Sequence, residues 1–485
     1  MRQSWFWQTL SRLVAACGLM VLGALIAAVA GVALYLDSRP PLDVWHSVHL
    51  QEEFRAGTNV QTFAQYLALE GRLFKELETK VYEAVSPGDA SPYARYHKGS
   101  RADPTSAPQD WNRSFELVSQ SASTGVLLLH GLSDSPYSLR TLGQDLHNAG
   151  AHVVGLRVPG HGTAPSGLTT ASFEDMAAAV DLAARHLREA LGDKKLYIVG
   201  YSNGGALAVD YAVRAIQSET LPELDGLILL SPEIGISEAA ERAAPLSWLD
   251  QTFGLQKLAW PSVDPEYDPY KYTSFALRAD LTAFTATQSV QTRLQALQAN
   301  GRITELPRIL AFQSAADATV QAPALMSVLF DQLEGPGHHL VLFDVNQLCG
   351  AQNLLDGMLD VPKVLNGPPR RYTISAITNA TSQSASARLL RKAAGAQQVT
   401  SSPLDAEWPK DTYSLAHVAL PFRPDDPVYG DEPPARSSGS LVRFRDMPIY
   451  GERGTIRIPA AGVVRQHWNP FYSVMSDMIL EFARP

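Results

Sequence analysis

The sequence contains few cysteines and few charged residues, and its basic residues do not outnumber its acidic ones. Only two of its 485 residues are cysteines, Cys17 and Cys349, which excludes a disulfide scaffold and a cysteine-rich structural zinc site. Charged residues make up 18%, below the ~25% typical of soluble proteins. The 40 basic and 49 acidic residues give a net charge of −9, so no basic surplus is available to neutralise phosphates. Nucleic acid is therefore not an expected partner.

One long run without charge accounts for part of this deficit. Residues 13–36 carry no charged side chain, and at ~1.5 Å per residue a helix of that length exceeds the ~30 Å hydrocarbon core of a bilayer. Arg2 and Arg12 precede the run and acidic residues follow it. By the positive-inside rule, the sequence predicts a single membrane anchor with its N-terminus in the cytoplasm and the rest of the chain outside, in the periplasm if the source is bacterial.

A cleaved signal peptide is the alternative interpretation of the same run. Ala28-Val29-Ala30 has the A-x-A form of a cleavage site. The apolar region of a signal peptide covers only about 7 to 15 residues, and this run is longer. The length favours an anchor that stays attached.

The remaining chain divides into a polar segment and a large α/β region. Residues 37–117 contain a predicted helix over about 60–85 and no legible function. From residue 118 to 485, short apolar runs alternate with helical patterns, which is typical of strands buried on both faces of a mostly parallel sheet. The predicted strands cover residues 126–129, 153–156, 196–199, 227–230, 309–312, 340–345 and 371–377. Two predicted insertions interrupt the alternation, an aromatic-rich, cap-like one at 234–306 and another at 347–412.

The motif that carries chemistry is a G-x-S-x-G sequence. Residues 200–204 read GYSNG and lie between a predicted strand and a predicted helix, the context in which this motif forms a nucleophile elbow. The glycines permit a strained turn that leaves the hydroxyl of Ser202 exposed above the sheet. Ser202 is therefore the predicted nucleophile.

An oxyanion formed by attack of Ser202 needs preorganised donors. We predict the backbone amides of Leu132, in the turn after the first strand, and of Asn203, directly after the nucleophile. His130 and His161 lie in the sequences HG and PGHG. Both are predicted to hold loops in place and not to act as the base.

Taken together, HG at 130–131, PGHG at 159–162 and GYSNGG at 200–205 resemble the α/β-hydrolase superfamily, particularly its monoacylglycerol-lipase-like and carboxylesterase-like members. The resemblance covers about residues 118–485 and implies a cap at the first insertion and the chain order Ser, Asp, His. Asp317, after the strand that begins at Arg308, resembles the acid of that family. Asp344 is the alternative acid.

The choice of histidine depends on topology. His338 and His339 precede the strand 340–345, whereas the catalytic loops of a parallel sheet lie at the carboxyl ends of its strands. His417 is the first histidine after that strand and is the predicted base. His338, His339 and His467 remain alternatives.

The predicted function is a membrane-anchored serine hydrolase that cleaves carboxylic esters through an acyl-enzyme, without a cofactor or metal. The resemblance implies a lipid-like ester, as for a lysophospholipase or monoacylglycerol lipase. A peptidase or thioesterase on the same scaffold stays open, because fold and triad do not fix the leaving group. A non-catalytic, membrane-anchored binding protein of the same fold is the alternative from another class.

Overall fold

The computed structural model describes residues 2–85, 91–235, 256–350, 358–432, 441–443 and 465–484. It begins with the helices α1 (Arg2–Ser38), α2 (Val44–Ser47) and α3 (Phe63–Leu77), and α3 continues into a π-helical turn at Glu78–Tyr82. The predicted anchor lies within α1. Its portion Leu10–Ser38 is long and apolar enough to cross a membrane and is exposed, properties that a signal sequence also has.

Ten strands form a single sheet. They are β1 (Phe115–Leu117), β2 (Thr124–Leu129), β3 (His152–Leu156), β4 (Lys195–Tyr201), β5 (Gly226–Leu230), β6 (Arg308–Ser314), β7 (His339–Phe343), β8 (Thr373–Asn379), β9 (Ser386–Lys392) and β10 (Thr400–Glu407). Their spatial order is β1-β3-β2-β4-β5-β6-β7-β8-β9-β10. Every pair from β3 to β8 is parallel, while β1, β9 and β10 join antiparallel. The predicted mostly parallel sheet is confirmed.

The three antiparallel strands were not predicted. β9 and β10 extend the sheet within the second insertion, and most of their residues are exposed or half-buried. Strands with this much solvent contact need no continuous apolar run, and β10 even contains Pro403. β1 has only three residues, too few for a periodic pattern.

The described residues contain seven further α-helices, which cover the two faces of the sheet: α4 (Arg140–Asn148), α5 (Phe173–Leu191), α6 (Asn203–Gln217), α7 (Leu277–Ala299), α8 (Ala322–Val328), α9 (Val361–Asn366) and α10 (Tyr472–Phe482). The apolar sides of α3, α5, α6 and α7 form one core with the sheet, and α4 and α10 form a second core on the opposite face. α5 begins with a capping box in which Ser172 Oγ accepts the amide of Asp175. Two buried layers on the sheet explain why central strands such as β2, β3 and β5 are buried along their whole length.

The polar segment before the sheet is packed against it through buried charges. The guanidinium of Arg157, just after β3, donates to Glu53 at 3.0 and 3.1 Å and to Glu70 at 3.1 Å. The hydroxyl of Tyr66, on α3, donates to the Arg157 carbonyl oxygen. Removing one partner of such a buried pair leaves an uncompensated charge, so these contacts tie residues 53–70 to the sheet.

The first predicted insertion is described in part. Residues 236–255, which include Trp248 and Phe253, lie outside the described residues. The described remainder forms an irregular stretch from 256 to 276 and then α7, which packs along α6. This part of the chain places α7 beside the carboxyl edge of the sheet.

Candidate active site

The turn between β4 and α6 has the geometry of a strained elbow. Ser202 has φ of 54° and ψ of −119°, a region that L-residues rarely occupy. Its amide donates to the carbonyl of Leu230 at 3.0 Å, and its own carbonyl accepts the amide of Glu233 at 2.9 Å. A Cβ on Gly204 would lie 2.1 Å from the Leu129 oxygen, so only glycine fits this position of the motif. The glycines are thus required by close backbone contacts.

A cavity of about 320 Å³ lies next to the elbow. Its lining includes Ser202, His417, Leu132, Glu233, Phe275 and Asp280. Asn203 is the first residue of α6, and the amides of a first helical turn have no partner inside the helix. The structure therefore brings Leu132 and Asn203 to the side of Ser202.

Asp317 lies in the turn after β6 and is bound to His417. Its Oδ2 is 2.9 Å from His417 Nδ1 and accepts the Gln313 amide at 2.9 Å, and Oδ1 accepts the amides of Thr319 and Val320 at 2.8 and 2.9 Å. Burial by itself would raise the pKa of Asp317. The charge of His417 and the hydrogen bonds from His417, Val320 and Thr319 outweigh burial and lower the pKa below its ordinary value. Asp317 is therefore held as a carboxylate.

His417 lies in a short helical turn at His417–Ala419 and is 5% exposed. The bond from Nδ1 to Asp317 fixes the plane of its ring. The ring lies 5.3 Å from the ring of Tyr201, the residue before the nucleophile. The Tyr201 hydroxyl donates to the His417 carbonyl at 3.4 Å, so the last residue of β4 contacts the histidine.

The alternative histidines and the alternative acid do not line the cavity beside Ser202. His338 and His339 are at the amino end of β7, where His338 Nε2 is 3.3 Å from the Glu334 carbonyl oxygen and His339 Nε2 is 2.9 Å from Ser375 Oγ. His467 lines an adjacent cavity. Asp344 accepts the amide of Val345 and the hydroxyl of Thr378, each at 2.8 Å.

His130 and His161 both bond to backbone atoms. His130 Nε2 accepts the amide of Val158 at 3.0 Å and Nδ1 is 2.9 Å from the Gly131 oxygen, while His161 Nδ1 is 3.0 Å from the Pro159 oxygen. Burial lowers the pKa of both rings, that of His161 to about 4. Neutral rings with backbone partners join the loops after β2 and β3, in line with the structural role expected for them.

Sequence reasoning missed two carboxyl groups in the cavity lining, those of Glu233 and Asp280. Glu233 follows β5, and among the described residues its buried Oε2 has no hydrogen-bond partner. Burial, together with the nearby charge of Asp280 on α7, raises the pKa of Glu233 to about 7. One feature of the sequence could have pointed to Glu233: it closely follows a buried strand, at the same edge of the sheet as the elbow. Over the described ranges, no three His, Cys, Asp or Glu side chains are grouped as metal ligands.

A serine elbow on a mostly parallel sheet, beside a bonded Asp–His pair, defines the α/β-hydrolase class. Residues 120–344 match the model of the family described as serine aminopeptidase, S33. The prediction of an α/β-hydrolase fold is confirmed, and the chain resembles serine hydrolases of the carboxylesterase and lipase type.

Two lines of similarity accompany this family match. The thermostable monoacylglycerol lipase of Bacillus sp. (strain H-257) is 28% identical over 124 residues, which are 26% of this chain and 46% of that protein. The chain thus spans about half the length of this relative. Among solved structures, one from the metagenome-derived lipolytic enzymes LipS and LipT has 21% identity and a TM-score of 0.39, covering 48% of this chain and 87% of its own. The Paleococcus ferrophilus monoacylglycerol lipase has 18% identity and a TM-score of 0.37, covering 48% and 88%.

Proposed function

We propose that this chain is a membrane-anchored serine hydrolase that cleaves carboxylic esters. Ser202 is the nucleophile, His417 the general base, Asp317 the acid that orients it, and the amides of Leu132 and Asn203 hold the oxyanion. The observation that carries the proposal is the shared cavity: Ser202 opens from its strained turn onto the same space as His417, whose Nδ1 is bound to Asp317.

The proposed reaction proceeds through an acyl-enzyme. Ser202 Oγ attacks the ester carbonyl carbon while His417 Nε2 takes the hydroxyl proton, and the carbonyl oxygen becomes an oxyanion held by the two amides. The tetrahedral intermediate collapses when the alcohol leaves with the proton from His417. A water molecule then attacks the acyl group in the same way and releases the carboxylic acid. Asp317 stays ionised throughout and stabilises the imidazolium of His417.

Two features support a lipid-like ester as substrate. The cavity lining includes the apolar side chains of Phe275, Ala283 and Phe284, which suit an acyl chain. Helix α1 supplies an exposed apolar length sufficient for an anchor, with the N-terminus in the cytoplasm and the hydrolase domain outside. A peptide is the second candidate substrate, because the matching family is described as a serine aminopeptidase.

Fluorophosphonate labelling of the full-length protein tests the nucleophile. We expect wild type to label and Ser202→Ala to remain unlabelled. His417→Ala should lower turnover of p-nitrophenyl esters by about 10³-fold or more, while the matched control His467→Ala keeps it. A series of acyl-chain lengths, run beside peptide and thioester substrates, separates the candidate substrates. Labelling that persists in Ser202→Ala would overturn the assignment.

A further inference from the structure

The C-terminal end of α1 is fastened to a loop of the hydrolase body by reciprocal hydrogen bonds. Lys257 Nζ donates to the carbonyl oxygens of Leu36 at 3.0 Å and Arg39 at 3.1 Å. The Arg39 guanidinium donates in turn to the carbonyl of Trp260 and, at 2.7 Å, to that of Pro261. The last carbonyls of a helix lack intrahelical partners and attract cations, so Lys257 caps α1.

Helix α2 continues this attachment a few residues later. His46 Nε2 lies 2.9 Å from Ser274 Oγ, and the His46 ring packs edge-on against the buried ring of Trp260 with centroids 4.9 Å apart. Burial lowers the pKa of His46 to about 4, so the ring is neutral at physiological pH. We call residues 36–47, together with 256–274, the anchor junction.

The anchor junction shares an apolar cluster with the wall of the catalytic cavity. Trp260 and the partly buried Leu42 belong to a cluster that also contains Leu132 and Phe275. Leu132 and Phe275 both line the cavity beside Ser202. A single apolar cluster therefore connects the anchor junction, which begins at the end of α1, with the active site.

The length of α1 sets the level at which this junction meets a membrane. Its apolar portion Leu10–Ser38 has 29 residues and is about 43 Å long at ~1.5 Å per residue. That length equals the ~40–45 Å thickness of a bilayer with its headgroups. A helix spanning the bilayer with this length ends at the headgroups, which places the anchor junction, and the cavity wall packed on it, at the membrane surface.

We infer that the active-site cavity takes its ester directly from the bilayer, and that the anchor junction holds the cavity at the membrane surface for this purpose. The inference rests on the proposed esterase function and specifies its substrate class, an ester whose acyl chain is dissolved in the membrane. Phe275 links the two regions, because it packs on the anchor junction and also lines the cavity.

The test uses the full-length protein reconstituted into phosphatidylcholine vesicles and two substrates. One is a long-chain monoester of glycerol dissolved in the vesicle membrane, and the other is p-nitrophenyl butyrate in water. Insertion of about 20 Gly and Ser residues between Ser38 and Arg39 frees the hydrolase body over a distance of ~25 Å. We expect the rate on the vesicle ester to fall at least about fivefold and the rate on the butyrate to stay within about twofold.

The same linker placed after Gly395, in the exposed turn between β9 and β10, is the matched control and should leave both rates unchanged. The double variant Arg39→Ala/Lys257→Ala should show the loss on the vesicle ester in milder form. An unchanged vesicle rate with the linker after Ser38 overturns the inference, and so does an equal loss on both substrates. Wild-type protein that hydrolyses neither substrate would refute the proposed function itself.

Discussion

Two adjacent strands of the sheet are followed by loops whose buried carboxyl groups have pKa values shifted in opposite directions. The loop after β6 carries Asp317, which accepts hydrogen bonds from two backbone amides, from Gln313 and from His417. The loop after β5 carries Glu233, whose Oε2 accepts none from the described residues. The pKa of Asp317 is lowered, whereas that of Glu233 is raised to about 7.

The difference shows that neighbouring charges and hydrogen-bond donors, and not depth of burial, decide the direction in which the pKa of a buried acid shifts at this edge. Burial is the largest influence on both groups and acts in the same direction on both. Of the two, only Asp317 has a facing cation, His417, and the hydrogen-bond donors that together overcome burial. The proposed orienting acid must be ionised to stabilise an imidazolium, whereas a carboxyl group in its protonated form is a hydrogen-bond donor.

The largest expected effect comes from removing the charge of Asp317. Asp317→Asn keeps the side-chain shape but favours the wrong tautomer of His417, so kcat on a p-nitrophenyl ester should fall by about 10³ to 10⁴-fold. Asp344→Asn, at the end of the neighbouring strand β7, is the control and should keep kcat within about twofold of wild type. Equal losses of kcat in both variants would contradict the assignment of Asp317 as the acid that orients His417.

An intermediate effect comes from removing one donor to Asp317. Gln313→Leu has a similar volume but loses the bonds to Asp317 Oδ2 at 2.9 Å and to the Val320 oxygen at 2.8 Å. A hydrogen bond to a charged group contributes about 1.5 to 3 kcal/mol, so urea denaturation should show a free energy of unfolding lower by about that amount. The exposed Gln397→Leu should change it by less than about 0.5 kcal/mol. Unchanged stability of Gln313→Leu would contradict the donor role.

The effect expected from Glu233 appears only over part of the pH range. Because the folded state raises its pKa from 4.5 to about 7, folding binds a proton in that interval and wild-type stability falls as pH rises through it. Glu233→Gln cannot titrate. The melting temperature of the variant should therefore match wild type below pH ~4.5 and exceed it by about 2 to 4 °C above pH ~7. The exposed Glu219→Gln is the control, and a difference for Glu233→Gln that does not vary with pH would count against the raised pKa.

The parallel part of the fold was predictable because its strands are buried on both faces. Runs such as 126–129 and 227–230 are apolar at every position, which is a signal that a single sequence carries. β9 and β10 face solvent, so exposure removed the pattern that would have revealed them. β9 pairs with β8 and β10 pairs with β9, and these pairings depend on the folded sheet and not on local preference.

The sequence could predict those residues of the candidate site that follow from a motif or from the order of the strands along the chain. The elbow motif and the rule that loops gather at the carboxyl ends of parallel strands point to Ser202, Asp317 and His417. Glu233 was not predicted as a site residue because no known motif surrounds it. The pKa of Glu233 is raised by burial and by the charge of Asp280. Asp280 is distant in sequence and comes close to Glu233 only after α7 packs on α6.

The Arg157 ion pairs have a consequence for biosynthesis. Glu53 and Glu70 precede their arginine by 104 and 87 residues, so during translation they emerge before the strand that will neutralise them. The early segment therefore cannot complete its packing until β3 has been made. The polar stretch without a legible function is thus a partner in folding for the sheet that follows it.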